Sequence, residues 1–147
     1  MAVSEIVFIF ANYFLPLVVY SSVLLFLFRR RPLVALQIFI SFSLAWLIGF
    51  LLKHFYYLPR PFILTGTPPA YFGSLDGSFP SNHTATTLAV SLIVLRVNKK
   101  LGFNLVVLSL LVAASRVIYS FHNWWDVLGG LLVGWLSAWF TAKIIHR

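Results

Sequence analysis

Of 147 residues, 61% are hydrophobic and 10% are charged, against about 25% charged in soluble domains. A chain this short cannot bury that apolar excess, so a water-soluble globular fold is excluded. Eleven Lys and Arg oppose three acids, Glu5, Asp76 and Asp126, for a net charge of +8. Most of the basic residues flank apolar runs, which points to orientation in a membrane rather than to nucleic acid.

Five apolar stretches approach the roughly 20 helical residues that span a hydrocarbon core, and predict an all-α membrane bundle of about five spans. The first, Ile6–Phe28, has no basic flank before it, an acid at Glu5 and a long apolar core, so it reads as a retained span rather than a signal peptide. The second is Leu33–Leu52. Pro59–Pro80 follows, with five of seven prolines and three of eight glycines, and predicts a turn-rich loop. Its aromatics, Phe62, Tyr71, Phe72 and Phe79, are expected to pack at the bilayer interface. The third stretch, Ser81–Val97, is short and carries Thr84, Thr86, Thr87 and Ser91. That polarity predicts a helix inside the bundle. Leu101–Tyr119 and Trp124–Ile145 complete the set, with no internal repeat and no second domain, so residues 1–147 read as one membrane domain.

Positive charge sets the orientation. Arg29, Arg30, Arg31, Arg96, Lys99, Lys100, Lys143 and Arg147 share one side in a five-span chain, predicted to be cytoplasmic. The N-terminus, the long loop and the turn at His122 then lie outside. Only Lys53, Arg60 and Arg116 break the bias, and they need another explanation.

With alternating helix directions, three segments meet at the outer boundary: Lys53 to Pro61, Phe79 to His83, and Ser115-Arg116 followed by His122 and Asp126. Ser81 is a natural N-cap whose hydroxyl can bond an amide one turn on. Asn82 and His83 fall on that first turn, where free amides and the helix dipole favour anions. Arg60 and Arg116 can grip phosphate oxygens bidentately, with Lys53 as a point charge. His122 and Asp126 are four apart, hence stacked on one face if the last helix starts by then. An Asp on one imidazole nitrogen leaves the other free as a nucleophile, and His83 can protonate a leaving oxygen. Lys53 or Arg60 alone is explained by snorkelling. His54 and His146 read as interfacial residues, and Gly130 with Gly134 as a close helix contact. The conjunction is not explained that way. Three acids cannot build a two-metal site, and no cysteine is present for a thiolate or Cys-zinc centre, so the expected chemistry needs no metal or cofactor.

These residues resemble the type-2 phosphatidic acid phosphatase family, lipid phosphate phosphatases related to vanadium haloperoxidases. The family pattern is Lys, six residues, Arg-Pro; then Pro-Ser-Gly-His; then Ser-Arg, five residues, His, three residues, Asp. Here it reads Lys53 with Arg60-Pro61, Pro80-Ser81-Asn82-His83, and Ser115-Arg116 with His122 and Asp126. Asn82 stands where the family has Gly, and five spans stand where many bacterial relatives have six.

The resemblance implies a metal-free mechanism, with the catalytic core in residues 53–126. His122 attacks phosphorus, Asp126 orients it, and His83 protonates the leaving group and later activates water. Lys53, Arg60, Ser81, Asn82 and Arg116 hold the phosphoryl oxygens. The expected substrate is a lipid phosphate or diphosphate at the outer face of a bacterial-type cell membrane. Undecaprenyl diphosphate ranks ahead of phosphatidylglycerophosphate, phosphatidic acid and lipid A phosphate. A transporter-like anion-binding protein is the rival reading, and the sequence defines no oligomeric state.

Overall fold

The computed structural model describes residues 15–66 and 76–145, with Ile6, Ile9 and Tyr13. Among these residues all regular structure is helical: α1 (Leu15–Phe28), α2 (Pro32–Phe55), α3 (Pro61–Thr65), α4 (Asn82–Val97), α5 (Lys99–Ile118) and α6 (Trp124–Ile144). Three of them, α2, α5 and α6, are long and apolar enough to cross a membrane, and the protein is an integral membrane helical bundle. Most of residues 6–14 of the first expected span, with Glu5, the loop aromatics Tyr71 and Phe72, His146 and Arg147, lie outside the described residues.

Local chemistry sets most helix ends. Proline opens α2 and α3, where its missing amide costs nothing. Asn98 starts α5 by accepting the amide of Leu101 at 3.0 Å. The short α3 interrupts the stretch read as a turn-rich loop: Pro61 starts it and Gly66, in the left-handed region at φ 65°, stops it.

Helix α4 is the axis of the bundle, packed against α2, α5 and α6. Its side chains are buried from Thr84 through Ser91, as its polarity predicted. The hydroxyls mostly bond carbonyls of their own helix, for example Thr87 to His83 at 2.6 Å and Ser91 to Thr87 at 2.7 Å. Gly130 and Gly134 let α6 press against α4. A Cβ there would come within 2.7 Å of the Ser81 carbonyl and 2.5 Å of the Ala85 carbonyl. Large apolar side chains cover the outer faces, including Trp46 and Phe50 on α2, Leu111 on α5, and Trp135 and Trp139 on α6. Water would leave that surface unsatisfied and lipid covers it.

Candidate active site

The C-terminal ends of α2 and α5 and the N-terminal ends of α4 and α6 meet at one end of the bundle. There the structure buries Lys53, Arg60, Ser81, Arg116, His122 and Asp126, with Asn82 and His83 half-buried beside them. All eight residues singled out from the sequence are therefore at this end.

The turn after α5 delivers His122. The amide of Ser120 bonds the Val117 carbonyl at 2.9 Å, and the amides of Phe121 and His122 both bond the Arg116 carbonyl at 3.1 Å. This is a Schellman-type stop, with Ser120 in the left-handed region at φ 56°. Arg116 thus anchors the histidine through its backbone, while its guanidinium lies 4.4 Å over the Phe121 ring.

His122 stops short of helix α6. The N-cap is Asn123, so the pair expected on one helix face is built differently. Asp126, in the first turn of α6, accepts the Asn123 amide at 2.7 Å on Oδ2. The same Oδ2 accepts the Ser78 hydroxyl and lies 3.5 Å from His122 Nδ1. The other ring nitrogen, Nε2, stands 3.4 Å from Arg60 Nη1. This geometry assigns the ring proton to Nδ1, facing the carboxylate, and the lone pair to Nε2, facing the cation.

Arg60 is held from several directions. Its Nη1 donates to the Phe121 carbonyl and its Nε to the Asp76 carbonyl, both at 3.2 Å. Its Nη2 meets Asp76 Oδ1 at 2.5 Å. Lys53 donates to the Gly77 carbonyl and lies 3.5 Å from Asp76 Oδ2. One half-exposed carboxylate therefore bridges two buried cations.

On α4, Ser81 does not cap through its hydroxyl. The hydroxyl accepts a hydrogen bond from Thr84 Oγ1 at 3.0 Å, and the Ser81 amide bonds the Asp126 carbonyl at 2.9 Å. The first helical bond runs from Ala85 to Ser81, so the amides of Asn82, His83 and Thr84 precede it and form the anion-favouring turn. Asn82 turns its carboxamide oxygen onto α2, where a Cβ on Gly49 would come within 1.9 Å of it. Gly49 makes the room that this larger residue needs. Phe62, expected at the interface, is instead buried edge-on against Phe121 at 6.3 Å.

Sequence reading missed Asp76 and Ser78 as members of the site. Asp76 carried a signal, as one of three acids in a chain with eleven Lys and Arg. Ser78 carried none, because a lone serine in a Gly/Pro-rich loop has no spacing to betray it.

Electrostatics favour a neutral His122. Burial lowers its pKa from 6.5 to about 4, the Asp126 hydrogen bond partly opposes this, and Arg60, Lys53 and Arg116 lower it further. Burial, and then Arg116, His122, Arg60 and Lys53, likewise lower the pKa of His83 and disfavour its protonated form.

Fold and site together define a membrane-embedded helical protein with a buried, cation-rich histidine–aspartate centre at one end. The family model described as the PAP2 superfamily matches residues 33–147, and the chain belongs to that superfamily. It is 40% identical over 86 residues to the undecaprenyl-diphosphatase BcrC of Bacillus subtilis (strain 168), covering 58% of this chain and 45% of that protein. It is 28% identical over 141 residues to the bacitracin transport permease protein BcrC of Bacillus licheniformis, covering 94% of this chain and 70% of that protein. The chain thus spans less than half of the first relative.

Proposed function

We propose that this chain hydrolyses the terminal phosphoryl group of a membrane lipid phosphate or diphosphate, with undecaprenyl diphosphate as the substrate. The observation that carries the reading is the line Asp126–His122–Arg60, which offers a neutral imidazole nitrogen beside a buried guanidinium. Superfamily membership and the named activity of the B. subtilis relative support it.

In this mechanism Nε2 of His122 attacks phosphorus, and the bond from phosphorus to the bridging oxygen breaks. His83 gives its proton to that departing oxygen, while Asp126 stabilises the imidazolium-like ring through Nδ1. Water then attacks the phosphohistidine and passes a proton to His83, which releases phosphate and restores both histidines. Lys53, Arg60, Arg116, Ser81 and the backbone amides at Asn82 and His83 balance the charge on the phosphoryl oxygens. The catalytic core is residues 53–126, and the charge bias turns it to the exterior of a bacterial cell membrane.

The name of the B. licheniformis relative favours transport as the second reading. One assay separates them. Purified protein in detergent should release phosphate from undecaprenyl diphosphate in the presence of EDTA, and His122→Ala should not. Release that vanishes in EDTA and returns with magnesium would sink the metal-free mechanism. Folded protein with no release at all would favour transport.

A further inference from the structure

The opposite end of the bundle holds a second concentration of positive charge. Helix α1 stops in a Schellman-type turn: the Arg30 amide bonds the Leu27 carbonyl at 3.0 Å and the Arg31 amide bonds the Phe26 carbonyl at 2.8 Å. Arg30 takes the left-handed position at φ 54°, where glycine is favoured and a side chain costs backbone energy. Arginine nonetheless fills all three positions from 29 to 31.

Arg29 and Arg31, with Phe26, Val97 and Asn98, line a cleft of about 390 Å³ between this turn and the corner joining α4 to α5. That falls in the range of about 300–1,000 Å³ typical of small-ligand sites. Arg30 is not among its lining residues. The Asn98 carboxamide oxygen is committed to capping Leu101, so the polar group it has left is an NH₂ donor. Phe26 and Val97 give the cleft an apolar wall. Arg96, Lys99 and Lys100 add to the field from the neighbouring corner. Among the described residues both carboxylates, Asp76 and Asp126, belong to the other end, away from Arg29 and Arg31.

Orientation by positive charge accounts for arginines near this boundary, but not for two guanidiniums and an amide donor lining one cleft with an apolar wall. Guanidinium forks match phosphate oxygens, and basic pockets between helix ends on the cytoplasmic side suit anionic headgroups. We propose that this cleft seats the phosphodiester headgroup of an anionic phospholipid from the leaflet opposite the active site. It shares no residue with that site and stands whether or not the hydrolytic reading holds.

The test is the thermal transition of the full chain in detergent, titrated with dioctanoyl phosphatidylglycerol, dioctanoyl phosphatidylcholine or inorganic phosphate. Phosphatidylglycerol should raise the transition and phosphatidylcholine should not. Arg29→Gln and Arg31→Gln should each weaken the apparent affinity about tenfold, the scale of one charge-assisted hydrogen bond. Arg30→Gln removes the same charge outside the cleft and should leave the affinity unchanged. Arg60→Gln, in the other site, should keep the shift relative to its own baseline. Equal losses with Arg30→Gln, or loss with Arg60→Gln, would overturn the site. An equal shift from inorganic phosphate at the same concentration would overturn the lipid assignment.

Discussion

His122 is kept neutral by its surroundings, and that sets how activity should respond to acid. An isolated histidine is half-protonated at about 6.5, whereas burial and three cations hold this ring to about 4. In the proposed mechanism the attacking nitrogen needs its lone pair, so activity should be present above the folded-state value and lost as pH falls through it. The acid limb of kcat/KM, which reports the free enzyme, should therefore lie nearer 4 than 6.5. In the proposed mechanism His83 must carry a proton at the same time, against the burial and cations that disfavour it in the free protein, so the full profile is bell-shaped and its limbs belong to the coupled pair. An acid limb at 6.5 in a kcat/KM profile measured from pH 3 to 9 would refute the neutral-ring account. Ser78 acts one step further away. It donates to the same Asp126 oxygen that faces His122, and its loss removes one charge-assisted bond orienting that carboxylate. Ser78→Ala should lower kcat about tenfold or more, with KM little changed, because a bond of that kind contributes roughly 1.5–3 kcal/mol.

At the scale of elements, the site depends on how closely α6 approaches α4 and on how sharply α5 stops. Gly134 has the Ala85 carbonyl where a Cβ would sit, and backbone cannot yield as a side-chain tip can. Gly134→Ala should destabilise the fold by about 1–3 kcal/mol, seen as a lower melting temperature in detergent. Gly130→Ala presses on the Ser81 carbonyl and should reduce activity as well. The opposite sign is expected at Ser120. Its left-handed backbone favours glycine, so Ser120→Gly should raise stability by up to about 1 kcal/mol while phosphate release persists. A lower melting temperature for Ser120→Gly would mean that the side chain contributes more than the strain relieved.

At the scale of the molecule, the two proposals give the charged ends different work: catalysis at the buried end and lipid binding at the basic end facing the other leaflet. The chain has no cysteine, so single cysteines report topology cleanly. Leu64→Cys on α3 should react with an impermeant maleimide from outside intact cells, and Lys100→Cys at the start of α5 only after permeabilisation. Labelling of Lys100→Cys alone from outside would reverse the proposed orientation, and labelling of both from outside would overturn the two-sided topology. Composition determined that this chain faces lipid, because apolar excess in so short a chain has nowhere else to go, and the lengths of its apolar runs determined a helical bundle. Three spaced motifs determined which residues meet, because helices of alternating direction bring alternate ends to one boundary. The burial of α4 was legible too, since its threonines and serines suit protein contact better than lipid. The tertiary structure alone decided that His122 hangs from the Arg116 carbonyl before helix α6 begins, and that Ser78 and Asp76 complete the site. It alone decided that Asn82 needs Gly49 beside it. Each of these is a contact between segments far apart in the chain or a turn whose backbone angle no spacing encodes, and such contacts are chosen only when the helices pack.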